Sequence, residues 1–238
     1  MGTSVVVGAG GGLGSAVLAR LARDRPGDRL LALSRRRPEA LPPRADWAPL
    51  DLTDEASIAA AAEGLGGGEE VDLVFVATGQ LHGPGLSPEK SWRSLDPGAL
   101  MAAFQVNTVG PALVAKHFLP RLARDRRAVF AALSARVGSI GDNRLGGWHG
   151  YRASKAALNQ MIRTLAVELA RQRPQALCVA LHPGTVATAL SAPFQGGVAQ
   201  AKLFTPDFAA GRLLAVLDGL TPADSGGFFA WDGAPVPW

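Results

Sequence analysis

The chain has 238 residues, 47% of them hydrophobic and 18% charged, enough apolar material for a sizeable core in a globular fold. Its one cysteine, Cys178, excludes an intramolecular disulfide and any cysteine metal cluster, and the four histidines have no metal-ligand spacing. The formal charge of +4 comes from scattered arginines with only 6% aromatic residues, which argues against a nucleic-acid stacking platform.

In chain order, short apolar runs alternate with longer helical patterns. Strands are expected near 4–8, 29–33, 46–50, 71–77, 128–133, 176–182 and 226–231, and helices around 13–24, 54–63, 98–123, 152–172 and 206–219. The strand runs are continuously apolar, as strands buried on both faces of a parallel sheet must be. Asp96-Pro97 and Thr205-Pro206 each set an N-cap acceptor before a proline at the first helical position. Leu158, Ile162, Leu165 and Leu169 form one stripe suited to packing on a sheet. No repeat or linker divides the chain, so residues 1–238 are read as one doubly wound α/β domain. The N-terminal "MGTSVVVGAG" lacks a basic n-region, and no uncharged stretch reads as long enough to span a bilayer, so cytoplasmic residence and no membrane partner are expected.

Between the first strand and the first helix lies "VVVGAGGGLGSAVLARL". The pattern GxGxxG fails, because its third glycine position from Gly8 and Gly10 is Leu13. GxxxGxG fits as Gly8, Gly12 and Gly14. Glycines there allow a tight turn around Leu13 and let a pyrophosphate approach the free N–H groups of the helix N-terminus. The second strand ends in "LALSRRRPEA", where an NAD-binding chain carries an acid for the ribose hydroxyls. Here the positions are Ser34, Arg35 and Arg36. Guanidinium groups match a 2′-phosphate, so NADP(H) is expected over NAD(H). Asp51 in "LDLTD" reads either as an acceptor for the adenine amino group, with Leu52 packing nearby, or as the start of a helix-capping run.

"GYRASKAALN" holds Tyr151, the only tyrosine, and Lys155, one of four lysines. At i and i+4 they share one helical face. A phenol near pKa 10 is a poor proton relay at neutral pH, and a nearby cation lowers that value. In the reducing direction Tyr151 would protonate a carbonyl oxygen as hydride arrives at carbon. Lys155 would also hold the nicotinamide ribose.

With these residues on the page, the chain resembles the short-chain dehydrogenase/reductase family over nearly its whole length. The matching residues are Gly8, Gly12 and Gly14, Asp51, "VATG" (76–79), Asn107 in "VNTVGP", "YRASK" (151–155) and "HPGTVAT" (182–188). Within the family it is most similar to the branch of C-factor and the sniffer-type carbonyl reductases. The resemblance implies a Rossmann fold with a seven-stranded parallel sheet, a nicotinamide cofactor and carbonyl–alcohol interconversion. By position it implies that Asn107 kinks its helix and anchors a water relay to Lys155. Ala77, Thr78 and Gly79 would line the cofactor path, with Thr78 supplying any side-chain hydrogen bonding. Pro183 and Gly184 would turn the chain over the nicotinamide, Val186 would meet its carboxamide through the backbone, and Thr188 would bond that carboxamide.

Relatives end the fifth strand with two serines, the second orienting the substrate carbonyl; "LSARVG" has Ser134 first and Ala135 second. Either Ser134 is brought inward or Ser139 substitutes from the loop, and Ser134 is the preferred candidate. His82 and His149 fall in expected active-site loops, His182 beside the cofactor. The 189–204 segment is expected to cover a pocket for a small hydrophobic carbonyl compound. The expected function is an NADPH-dependent carbonyl reductase. Its alternatives are an NAD-dependent alcohol dehydrogenase and an NADP-binding signalling or sensing protein with little turnover. A homodimer or homotetramer through helices 98–123 and 152–172 follows from fold analogy alone.

Overall fold

The structure, a computed structural model, describes residues 2–83, 86–197 and 199–238. Its elements are β1 (Thr3–Val7), α1 (Gly12–Asp24), β2 (Arg29–Ser34), β3 (Ala45–Pro49), α2 (Glu55–Glu63), β4 (Leu73–Val76), α3 (Pro97–Phe104), α4 (Gly110–Phe118), β5 (Ala128–Leu133), α5 (His149–Gln172), β6 (Ala176–His182), β7 (Thr185–Val186), β8 (Leu203–Phe204), α6 (Pro206–Gly219) and β9 (Phe228–Ala230). Seven strands form one parallel sheet in the order β3-β2-β1-β4-β5-β6-β9, and β7 pairs separately with β8.

Alternation along the strands divides the core into two layers. Val5, Val7, Val74, Val76 and Phe130 face Ile58 of α2, Phe118 of α4 and Leu158 of α5. Val6, Phe75, Val129 and Val179 face Val17, Leu18 and Leu21 of α1 and Leu213 and Leu217 of α6. Each fully buried aliphatic or aromatic side chain of this kind contributes roughly 1.5–3 kcal/mol. With both faces covered, all of β1, β4 and β5 is buried, which is why β4, β5 and the second half of β1 read as unbroken apolar runs. The α5 stripe behaves as expected: Leu158, Ile162 and Leu169 are buried and Leu165 packs against them.

Both predicted helix starts are present. The Asp96 carboxylate accepts from the Ala99 amide at 2.8 Å, and the Thr205 hydroxyl accepts from the Phe208 amide at 3.2 Å. The helix expected over 98–123 is instead α3, a π-helical turn at Gln105–Val109, α4 and a 3-10 turn at Leu119–Arg121. Pro111 has no N–H to return to residue 107, and the Gly110 amide bonds back five residues to the Gln105 carbonyl. Contrary to the sequence reading, the run Pro97–Arg121 contains an 18-residue window of mean hydropathy 1.3, long and apolar enough to cross a bilayer by length and composition. In the fold, α3 packs against α5 and α4 against α2 and α5. α5 begins at His149, three residues earlier than expected, and the 184–204 stretch read as loop contains β7, β8 and two short 3-10 segments.

The strand order reverses between β1 and β4. Successive connections there leave on opposite faces, which opens a crevice at the carboxyl ends of these two strands.

Candidate active site

The glycine turn after β1 lines that crevice, and three of its glycines are sterically required. Gly8 has φ +85°, and a Cβ on it would lie 2.8 Å from the Ala77 carbonyl oxygen and from Thr78 Cγ2. A Cβ on Gly14 would come within 2.2 Å of the Gly8 carbonyl oxygen, and one on Gly12 within 2.9 Å of Thr188 Cγ2. Leu13 is buried behind the turn. Gly11, at the N-cap of α1, offers no side chain, and the first turn holds no acid. The result is a backbone cradle of uncapped N–H groups at a positive helix end, shaped for an anion such as a pyrophosphate. Thr78 Oγ1 is buried beside it with no hydrogen-bond partner among the described residues.

At the end of β2, Ser34 is not a free ligand. Its hydroxyl donates to the Arg36 carbonyl at 2.7 Å and accepts from Trp47 Nε1 at 3.1 Å, so it shapes the turn that presents Arg35 and Arg36 to solvent. Asp51 makes a local turn, its Oδ1 accepting from the Thr53 amide at 2.9 Å and the Thr53 hydroxyl at 2.8 Å, while Asp54 caps α2 by accepting from the Ala56 amide. These bonds, with the charge of Arg35 adding to them, hold its carboxyl below the usual carboxylate range. Leu52 packs where a Cβ on Gly110 would meet it at 2.7 Å, so this segment is pinned to α4.

Across the crevice, Lys155 is 1% exposed and its Nζ donates to the Leu133 carbonyl at 2.8 Å. Nζ lies 5.9 Å from the centroid of the half-buried Tyr151 ring. A Cβ on Gly79 would be 3.5 Å from Lys155 Nζ and 3.7 Å from Asn107 Oδ1, so Gly79 closes over both. Asn107 is fully buried in the π turn. Its Oδ1 accepts from the Gln80 amide at 2.7 Å, while its Nδ2 donates to the Gln80 carbonyl at 2.9 Å and to Ser154 Oγ at 3.1 Å. Thr108 Oγ1 donates to the Ser154 carbonyl at 2.7 Å. The β4 loop, the π turn and α5 are thus tied together at the residue before Lys155. Sequence reasoning found Asn107 and missed Ser154 and Thr108, although Ser154 stands inside "YRASK".

The electrostatics depart from the expected lowering of the phenol pKa. Burial pushes Tyr151 up to about 12 and Lys155 down to about 7. Removing each group from water costs its charged form more than the distant partner returns. Burial likewise pushes His182 down to about 4, so its ring stays neutral, and its Nδ1 faces the Arg136 amide at 3.3 Å.

Ser134 also departs from expectation. It is 4% exposed and its hydroxyl donates to Asn159 Oδ1 at 2.6 Å inside the β5–α5 packing, so its hydrogen is committed. The equally buried Ser139 accepts from the Asp142 amide at 3.1 Å, a bond that leaves its own hydrogen to give. Gly138 brings this loop against α5: a Cβ there would meet Lys155 Cβ at 2.7 Å.

Beyond β6, Gly184 turns with φ +77° where a Cβ would strike Phe204 at 2.6 Å, and half-buried Pro183 precedes it. Val186 is buried in β7, and its carbonyl accepts from the Thr188 amide at 2.9 Å, which sets Thr188 over Gly12. His82 holds the next residues, with Nε2 3.2 Å from both the Ala189 and Leu190 carbonyls.

Two residues with no sequence signature start α5. Trp148, its N-cap, is left-handed (φ 54°), follows Gly146 and Gly147, and has no side-chain cap bond. The cap comes from Glu89, 7% exposed, whose carboxylate accepts from the Gly150 amide at 3.1 and 3.3 Å and whose carbonyl accepts from the Trp148 amide at 2.5 Å.

Comparison with known proteins agrees with this geometry. The short chain dehydrogenase family model matches residues 3–197. The chain is 38% identical to C-signal of Myxococcus xanthus over 145 residues, 60% of this chain and 81% of that protein. It is 34% identical to 1-hydroxy-2-glutathionyl-2-methyl-3-butene dehydrogenase of Rhodococcus sp. (strain AD45) over 190 residues, 79% of this chain and 78% of that one. Among solved structures, NADPH-bound carbonyl reductase from chicken fatty liver superposes with a TM-score of 0.86 at 28% identity, covering 100% of this chain and 98% of its own. Carbonyl reductase Sniffer of D. melanogaster superposes with a TM-score of 0.85 at 25% identity, covering 100% of both chains. The chain belongs to the short-chain dehydrogenase/reductase family of oxidoreductases.

Proposed function

We propose that the chain is an NADPH-dependent oxidoreductase that interconverts a carbonyl and an alcohol. The observation that carries this reading is the convergence of Lys155 Nζ, Asn107 and Gly79 beneath the crevice, with Tyr151 one helical turn ahead of Lys155 and the glycine cradle opposite. A nicotinamide, when bound, supplies the hydride or accepts it. Tyr151 Oη gives its proton to the carbonyl oxygen in reduction and takes it back in oxidation. Lys155, brought near 7 by burial, exchanges a proton close to neutral pH and stabilises the phenolate that Tyr151 leaves. Its donors also suit ribose hydroxyls. Asn107, Ser154 and Thr108 hold both residues in place, and Ser139 rather than Ser134 offers the hydroxyl hydrogen to the substrate carbonyl.

The exposed Arg35 and Arg36, with no acid between Ser34 and Glu39, support a 2′-phosphate over free ribose hydroxyls. The NADPH-bound chicken enzyme and an NADP-bound putative short-chain dehydrogenase/reductase from Burkholderia multivorans, 26% identical, support the same choice.

The test is NADPH and NADH consumption with a panel of small aldehydes, ketones and diketones, comparing wild type with Tyr151→Phe. NADPH-preferring turnover that collapses in the variant supports the reading, and turnover unchanged by the variant overturns the mechanism. A second reading, an NADP-binding signalling protein with little turnover, draws on the 38% identity to C-signal. Tight NADPH binding without consumption of any carbonyl would favour it.

A further inference from the structure

We propose that the cleft beside Tyr151 takes a carbonyl compound with a flat aromatic or conjugated body and an anionic end, and that Lys90 selects for that end. The inference rests on the reductase reading and names the substrate class for the same site. The cleft holds about 610 Å³ and is bounded by His82, Leu86, Pro88, Lys90, Trp148 and Phe194. That volume lies in the range of small-ligand pockets.

Its wall is a row of rings. The Trp148 indole meets the Tyr151 ring edge-on at 6.4 Å and the Phe194 ring at 5.0 Å, and His82 meets Phe194 at 5.8 Å. The row therefore runs from the phenol to the far side of the cleft and offers edges and faces to a flat partner. Its members are held: Trp148 by the Glu89 carbonyl, His82 by the Ala189 and Leu190 carbonyls. With two carbonyl oxygens in front of it, His82 Nε2 acts as the donor in this contact.

The charge is one-sided. Among the described lining residues the ionisable side chains are Lys90 and His82, and none is a carboxylate. The neighbouring acid, Glu89, turns the other way, with its carboxylate buried on the Gly150 amide. One short segment thus hides its negative charge inside the fold and leaves exposed Lys90 on the cleft. A substrate end that enters meets positive charge alone, which favours a carboxylate over a neutral group.

The experiment compares 4-formylbenzoate and the longer 4-formylcinnamate with their methyl esters. Dissociation constants on the NADP⁺-loaded protein and kcat/KM with NADPH are measured in wild type and Lys90→Met. The expected result is that, for at least one length, the acid binds about three- to fivefold more tightly than its ester, as an exposed ion pair allows, and that Lys90→Met closes the gap. Equal or tighter ester binding at both lengths, a gap that survives Lys90→Met, or no binding of either pair overturns the proposal. Lys90-dependent binding of the acid without NADPH consumption would sink the reductase reading and leave the binding preference standing.

Discussion

The Glu89 carboxylate is bonded to the Gly150 amide, one residue before Tyr151, so a buried acid from the cleft segment caps the helix that carries the phenol. Removing it strands a buried N–H at a positive helix end. Glu89→Ala is expected to lower stability by about 1–3 kcal/mol, read as a lower urea midpoint with unchanged slope. Glu89→Gln keeps an acceptor and loses less. Equal losses would assign the effect to packing instead of the hydrogen bond.

Tyr151→Phe keeps the ring edge against Trp148 and removes only the hydroxyl. Steady-state turnover is expected to fall by about 10²–10⁴-fold, the usual contribution of a positioned acid. NADPH affinity, followed by fluorescence enhancement of the dihydronicotinamide, should stay within about twofold.

Arg35 is exposed beside the turn that Ser34 and Trp47 hold in place. Arg35→Asp replaces a phosphate partner with a repelling charge and an acceptor for ribose hydroxyls. The KM for NADPH should rise about tenfold or more while that for NADH falls, since the lost charged hydrogen bonds are worth roughly 1.5–3 kcal/mol. An unchanged NADPH/NADH ratio would show that the arginine is only a solvated face.

Gly14→Ala sets a methyl 2.2 Å from the Gly8 carbonyl oxygen, a backbone atom that cannot swing aside. The turn must open, so the variant should lose NADPH binding at least tenfold and melt several degrees lower. Gly66→Ala, at a turn with open space but φ +84°, should leave cofactor affinity intact while costing about 1 kcal/mol of stability.

Stability should depend on pH through Lys155. Its folded pKa of about 7 lies below the ordinary lysine value of 10.5, so between these values the unfolded chain holds a proton that the folded chain lacks. Unfolding free energy therefore rises with pH across that window, by up to about 1.4 kcal/mol per unit, and the penalty is fully present below pH 7. Tyr151, raised from 10 to about 12, reverses the trend above pH 10, where the folded chain keeps a proton the unfolded chain has lost. Chemical denaturation of Lys155→Met between pH 7 and 9.5 should lack the rising slope seen in wild type.

The sheet, the glycine cradle and the pair on α5 were legible because each leaves a local mark: unbroken apolar runs, obligatory glycines, an i,i+4 spacing. Asn107 and the kink at it were legible only through family resemblance, and the π form of that kink leaves no local mark, although Pro111 supplies its cause. Ser134 misled because strand alternation says which face a side chain takes and nothing about a partner such as Asn159, 25 residues away. Glu89 had no signal at all. Its partner lies 61 residues on, and a glutamate before a lysine in a loop reads as solvated surface until the fold buries it.

Tyr151 is the sole tyrosine of the chain, flanked by the indole of Trp148 and by Lys155 Nζ. A carbon-13 label fed as tyrosine therefore marks one atom set only, at the proposed proton donor. Its Cζ resonance reports protonation, cofactor arrival and ring contact without assignment or mutagenesis, so this protein carries its own spectroscopic probe at the one position where the chemistry would be read.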